Sequence, residues 1–565
     1  MRLARIRTHN FRNLPSLDTA LGRSVVIVGE NRAGKSNLLQ AIRLVLDSSL
    51  PYADRRLSSK DFWDGLDCPS GDPMVDGYEI RISLDLDELS DDKRMMATLG
   101  NGLVELKPPV ARLTYKWAPD PKKDGIYTDG VYFADGEDNR RVPNDLRDEV
   151  FVAFTSALRD VESDIRSWRR SPLRSLLERV IGKIPPDEVA RLRALLSEAN
   201  DQVVGLPDVE DLATTVERRV EAAVGPRHAL GASLRTVPPQ VDEVIRALTL
   251  YVDGSQARSL DTASLGSLNI LYFVLLQLGS EARLEGKEVS HTLVVAEEPE
   301  AHLHPHLQRS VLEAIGAPTD SRSILVTTHS PQLVSAVDGR ALLRLSRKDG
   351  GTVAHSAADA TLTEREWGDV NRYLGATQAE MVFATKVLLV EGYAEEVLVP
   401  AFASEHGMDL NKEGITVCAI HGTHFLSYAK LCGSLGIPFA IVTDGDPGDD
   451  GELEGRTRLS RLAEAMGLTG ELDGHGLFLG EDTLEVDLYR TASNAERIHV
   501  VLTELGTRNT PSRIETWNGS PSRKQLVDEI DHAGGKGRFA QRLASEPLTA
   551  PAAFQRALDF LRTAL

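Results

Sequence analysis

Ser24-Val25-Val26-Ile27-Val28 is a short β-branched run that stops at Gly29 and is followed by Glu30-Asn31-Arg32-Ala33-Gly34-Lys35-Ser36. From Asn37 to Leu46 the apolar residues then recur at helical spacing, so the order is strand, loop, helix. That order places the segment in an α/β sheet, and the loop has the spacing that cradles phosphates. In such a loop the backbone N–H groups wrap the phosphates, Lys35 reaches the terminal ones and Ser36 binds Mg²⁺. Gly29, Asn31, Gly34 and Asn37 complete the expected nucleotide cradle.

Two further buried-strand runs, Thr292-Leu293-Val294-Val295-Ala296 and Ser323-Ile324-Leu325-Val326-Thr327-Thr328, fit the same sheet. The first ends in Glu297-Glu298-Pro299-Glu300-Ala301-His302-Leu303-His304-Pro305. Phosphoryl transfer needs one carboxylate to help hold Mg²⁺ and another to orient the attacking water, roles assigned here to Glu297 and Glu298. Thr328-His329-Ser330 ends the other strand, and His329 suits a sensor of the γ-phosphate.

Between about Asn144 and Glu221 apolar residues recur at three and four positions among many charges, with breaks at Pro172 and Pro185-Pro186, which predicts a helical insertion. Its basic residues Arg159, Arg166, Arg169, Arg170, Arg174 and Arg179 could track a DNA backbone. The interleaved Asp160, Glu162, Asp164 and Glu178 favour a solvated or dimer-facing surface instead.

After about Gly375 the strand pattern restarts with Lys386–Val390, Ile415–Ile420 and Phe439–Thr443, separated by helical segments, which implies a second parallel sheet. The first of these strands runs into Glu391-Gly392, with Glu395 one helical turn on; the third runs into Asp444-Gly445-Asp446, whose glycine is expected to turn the chain sharply. Both acidic groups would lie outside the carboxyl ends of the strands, where open α/β sheets bind ligands. Their like charges call for a cation, and hard oxygen donors without Cys or His favour Mg²⁺ or Mn²⁺.

The 565 residues exceed what one hydrophobic core organises. No uninterrupted apolar stretch approaches a bilayer span, and the basic N-terminus lacks the apolar core of a secretory signal, so a cytoplasmic, membrane-free protein is expected. Three scattered cysteines exclude a disulfide framework. A formal net charge of −20 excludes a generally basic coat and confines any nucleic-acid contact to local sites.

The N-terminal motifs resemble the ATPase heads of the ABC superfamily, in particular the RecF/SMC-like and OLD branch. Ser264-Leu265-Gly266-Ser267, about 30 residues ahead of Glu297, matches that family's signature segment, through which Ser264 and Gly266 would close over the nucleotide of a second subunit. The Glu391-Gly392 and Asp444-x-Asp446 elements resemble the Toprim fold of type II topoisomerases, DnaG-type primases and OLD nucleases. Gly480-Glu481-Asp482-Thr483-Leu484-Glu485 and Gly535-Lys536-Gly537 point to OLD among these.

The resemblance implies an α/β architecture with 1–143 as the first part of an ABC-type ATPase and 144–225 as a helical, dimerising insertion. Residues 226–375 would complete the ATPase, and 376–565 would form a Toprim domain. It further implies two metals on Glu391, Glu395, Asp444, Asp446 and Glu485, with Glu481 or Asp482 as helpers and Lys536 stabilising the transition state. The resulting activity would be an ATP-regulated, Mg²⁺- or Mn²⁺-dependent DNA endonuclease in phage defence or DNA repair. Its partners would be DNA, a second or further copy of itself and a UvrD-like helicase. An SMC-like DNA clamp without nuclease activity and a primase-like nucleotidyl transferase remain the alternatives. Topoisomerase chemistry is disfavoured, since only Tyr489 follows Asp446 and no nucleophile motif surrounds it.

Overall fold

A computed structural model of the chain describes all residues except 90–92, 124, 139, 158–160, 167–170, 225–240, 247, 249, 253–259, 449–450, 492, 547 and 565. The chain forms two compact units. One comprises Met1–Ala157, His291–Leu312 and Ala317–Leu565, and the other Leu158–Ser290 with Glu313–Gly316.

In the larger unit the phosphate-loop strand Ser24–Gly29 is buried along nearly its whole length, as a strand covered on both faces must be. It pairs in parallel with Arg322–Thr327 and Leu342–Lys348. The sheet continues from Arg322–Thr327 through His291–Glu297 to Val150–Thr155, and Gly351–Ser356 closes the other edge antiparallel. A six-stranded antiparallel sheet, centred on Arg2–His9, Ile80–Asp87 and Pro109–Pro119, packs with the helix Lys35–Leu46 into the same core.

Residues 150–155 correct the expectation of helix throughout 144–221: Val-Phe-Val-Ala-Phe-Thr pairs in parallel with His291–Glu297 and belongs to the phosphate-loop sheet. Just before it, Arg147 is buried and donates to the carbonyls of Val45 (3.0 Å) and Asp47 (3.0 Å), capping the end of the phosphate-loop helix.

The third sheet is wholly parallel, in the order Ile415–Ala419, Lys386–Val390, Phe439–Thr443, Leu477–Leu479. Helices including Tyr393–Glu405 and Ala552–Thr563 bury one of its faces, with Leu388, Val390, Ala440 and Val442, in a separate core. The expected strands are present, and Leu477–Leu479 is a fourth that the sequence pattern did not reveal. A buried arginine ties this sheet to the phosphate-loop sheet. Arg344 donates to the carbonyl of Ala384 (3.1 Å), just ahead of one strand, and to those of Leu435 (3.3 Å) and Gly436 (3.3 Å), just ahead of another. Beside it, Thr385 Oγ1 donates to the carboxylate of Glu30 in the phosphate loop (3.2 Å).

The smaller unit is helical, with Val161, Ile165, Leu260, Leu268, Tyr272 and Leu275 at its core. Its 21-residue helix Leu265–Glu285 is the only described helix long and apolar enough to match a membrane span, but it closes on Glu281, Arg283 and Glu285 and contributes three of those core side chains. Arg174 pairs with Glu178 (2.8 Å) and Arg179 with Glu285 (3.2 Å), the arrangement of a solvated face. Arg159, Asp160, Arg169 and Arg170 lie outside the described residues.

Removing the Arg147 cap strands buried carbonyls at a helix end. Arg147→Ala should lower stability by about 3 kcal/mol, read by denaturant unfolding. Arg147→Lys, which lacks the planar fork, should recover less than half of that loss.

Candidate functional site

The phosphate loop closes a cleft of about 670 Å³ lined by Arg12, Asn13, Asn31, Gly34, Lys35, Ser36, Asn37, Glu298 and His329 among others. Gly29 has φ 147°, and a Cβ there would lie 2.3 Å from the carbonyl oxygen of Leu345, so the loop can begin only with glycine. Lys35 is buried and donates to the carbonyls of Gly29 (2.8 Å) and Glu30 (3.1 Å); burial lowers its pKa. Ser36 donates to the carboxylate of Glu297, which brings the two expected Mg²⁺ ligands together.

Glu298 sits in the left-handed region, φ 45°, and its Oε1 lies 3.6 Å from Nε2 of His329. Burial lowers the pKa of His329. Glu300, to which the sequence reading gave no role, is buried and accepts from Thr328 Oγ1 (2.6 Å) and from the backbone N–H of His329 (2.9 Å). It therefore fixes the segment that carries His329. Arg12 and Asn13 were missed as well; Arg12 donates to Asn37 Oδ1 (2.8 Å), and Asn37 donates to Asn13 Oδ1 (2.7 Å). In the helical unit, exposed Ser264 caps the helix Leu265–Glu285 by accepting from the N–H of Ser267 (3.1 Å), and Gly266 lies in its first turn.

A second polar centre lies at the carboxyl ends of the parallel strands. Glu391 follows Lys386–Val390, Asp444 follows Phe439–Thr443, and Glu395 and Glu485 are buried on the helices Tyr393–Glu405 and Leu484–Arg490. Burial first, and then the charges of Glu391, Glu395, Glu485 and Asp446, push the Asp444 carboxyl up to about 9. Glu395 is pushed up to about 7, again chiefly by burial, with Glu391 and Glu485 adding to it. These carboxylates thus share one electrostatic environment.

Gly445 is needed for a different reason from the sharp turn expected of it. A Cβ there would lie 2.6 Å from the carbonyl of Gly480, so it permits the close approach of the 480–482 loop, and Gly445 N–H donates to Asp482 O (2.8 Å). The left-handed turn falls on Asp446, φ 45°. Asp444 Oδ1 then accepts from the N–H of Leu484 (3.0 Å), drawing the start of the Glu485 helix onto the Asp444 strand.

Cations engage these acids. Lys536 at a helix start pairs with Glu485 (2.9 Å); Arg458 pairs with Glu391 (2.7 Å) and Asp446 (3.3 Å); Arg523 pairs with Asp446 (3.0 Å). Burial works against the charge of Lys536, but Glu485, Asp444 and Glu395 outweigh it and raise its pKa. With the side chains so drawn, no three acidic, His or Cys groups among the described residues converge into a ready-made cation site. The donor set nonetheless fits a hard divalent ion, being all oxygen, with Glu485 Oε2 buried and lacking a hydrogen-bond partner. Glu481 is exposed, and Asp482 pairs with Arg490 (3.2 Å). Half-buried Asp487, missed in the sequence, accepts from the N–H of Glu481 (2.9 Å). Arg458 and Arg523 were also missed; no motif surrounds either.

Residues 382–446 match the family model described as "Overcoming lysogenization defect protein-like, TOPRIM domain", and residues 24–335 match "AAA domain, putative AbiEii toxin, Type IV TA system". The chain is 24% identical over 474 residues to the Old nuclease of Escherichia phage P2, covering 79% of this chain and 77% of that protein. It is 21% identical over 491 residues to the endonuclease GajA of Bacillus cereus, covering 83% of this chain and 79% of that one. The solved C-terminal region of the Burkholderia pseudomallei OLD protein is 34% identical over 32% of this chain and 98% of its own length, with a TM-score of 0.30.

A phosphate-loop head and a Toprim sheet on one chain define an ATPase joined to a domain that uses divalent metal. The chain belongs to the AAA family whose model matches residues 24–335, and its residues 382–446 match the Toprim model of OLD-like proteins.

The raised carboxyls carry a pH signature. Asp444 and Glu395 hold protons in the fold at pH values where the unfolded chain has lost them, so their contribution to stability declines as pH rises from about 4 towards 9. In EDTA the thermal midpoint should fall between pH 6 and 9, and more steeply for the wild type than for Asp444→Asn. Parallel curves would contradict the shared burial of these groups.

Proposed function

We propose that the protein is an ATP-regulated, divalent-metal-dependent DNA endonuclease. The observation that carries this reading is the gathering of Glu391, Glu395, Asp444, Asp446 and Glu485 at the carboxyl ends of one parallel sheet, where each of the others acts electrostatically on Asp444. The names of the relatives, nuclease and endonuclease, agree with it.

Those carboxylates would hold two Mg²⁺ or Mn²⁺ ions, which when bound supply an activated water and stabilise the leaving 3′ oxygen of a phosphodiester. The chain's own part is to fix the ligands. Thr443 Oγ1 and the N–H of Asp444 (3.1 Å) donate to Glu391, and the N–H of Leu484 orients Asp444. Lys536, whose charge is secured by Glu485, would face the negative charge that grows on the scissile phosphate. Glu481 and Asp482 flank the site as lesser helpers.

In the head, Lys35 would leave the Gly29 and Glu30 carbonyls for the terminal phosphates of ATP. Ser36 and Glu297 would hold the accompanying Mg²⁺, Glu298 would orient water and His329 would sense the γ-phosphate. Ser264 and Gly266, exposed or half-exposed at a helix start, would serve the nucleotide of a second copy of the chain.

Supercoiled plasmid with Mg²⁺ or Mn²⁺ should be nicked or linearised by the wild type, while Glu391→Ala and Asp444→Ala should reduce cutting to background. Cleavage retained by both variants would remove the nuclease assignment. Glu298→Gln should lower ATP hydrolysis about 100-fold with nucleotide affinity kept, and an unchanged hydrolysis rate would reassign the water-orienting role.

A further inference from the structure

Arg458 lies on the helix Glu454–Ala465, outside every motif, yet it meets the metal-centre candidates from both strands at once. Nη1 donates to Glu391 Oε1 (2.7 Å) and to Thr443 Oγ1 (2.5 Å), and Nη2 to Asp446 Oδ2 (3.3 Å). Oε1 of Glu391 also accepts from Thr443 Oγ1 and from the N–H of Asp444 (3.1 Å), so the guanidinium occupies an oxygen for which a divalent ion at this cluster would compete. Arg523 and Lys536 contact the cluster less centrally: the former touches Asp446 and approaches Asp482 (3.9 Å), and the latter holds Glu485.

The same side chain also lines a cleft of about 720 Å³ whose walls include Asp369, His424, Glu454 and Arg461. Neither Asp369 nor Glu454 is paired with a cation among the described residues, so an arginine leaving Glu391 has carboxylates to turn towards.

We propose that Arg458 is a positioning residue and tethered competitor of the metal centre: it draws Glu391 and Asp446 together and is displaced from them when a divalent ion binds. The proposal rests on reading these carboxylates as metal ligands. It makes metal entry an exchange of one cation for another, so part of the intrinsic affinity of the acids is spent on releasing the guanidinium.

The test is Mn²⁺ binding to the full chain without nucleotide, by calorimetry, for wild type, Arg458→Gln, Arg458→Lys and Asp444→Ala. Arg458→Gln should bind Mn²⁺ about tenfold more tightly than wild type, and its thermal midpoint in EDTA should be lower because the acids lose their counter-charge. Arg458→Lys, with the charge but not the fork, should lie between the two, and Asp444→Ala should lose the signal. Unchanged or weaker Mn²⁺ binding by Arg458→Gln, beside normal binding by wild type, would overturn the role of Arg458 alone. Absence of Mn²⁺ binding in the wild type, or its retention in Asp444→Ala, would overturn the metal-centre reading and this proposal with it.

Discussion

Carboxylates crowded at the end of a buried sheet repel one another, and the Toprim domain is organised around containing that repulsion. Burial first, and then the acidic neighbours, together push the Asp444 carboxyl up to about 9. Compensation comes from three cations delivered by three different helices, Arg458, Arg523 and Lys536. The helices Arg523–His532 and Lys536–Leu543 pack where they do because their apolar faces share one core, so the positions of those two counter-charges are set by hydrophobic packing and not by the acids themselves.

The two centres solve their backbone problems alike. Each places an acid in the left-handed region within three residues of the end of a buried parallel strand, Glu298 in the head and Asp446 in the Toprim domain. Each centre also depends on a glycine through which two backbones touch: Gly29 against Leu345, and Gly445 against Gly480.

Much of this was legible in the sequence because parallel strands covered on both faces are written as continuous apolar runs. Ser24–Gly29, Lys386–Val390 and Phe439–Thr443 could be read off with their terminal acids or glycines. Val150–Thr155 was not, although its six residues are as strand-like; helical periodicity on both sides masked it, and its partner His291–Glu297 lies some 140 residues away. The antiparallel sheet around Ile80–Asp87 was missed for a similar reason, since its pairing is set by distant strands. Arg458 and Asp487 had no local signal, because what distinguishes them is the neighbour that folding brings and not the residues beside them in the chain.

The buried guanidinium of Arg344 has one further consequence. A single rigid fork grips the main chain ahead of both the Glu391 strand and the Asp444 strand, and it does so from the strand beside the phosphate loop. Those two strands are also hydrogen-bonded directly to each other, so the fork meets them as one unit. Gripping both makes the sheet travel like a drawer on paired runners: whatever displacement the head imparts, Glu391 and Asp444 keep step.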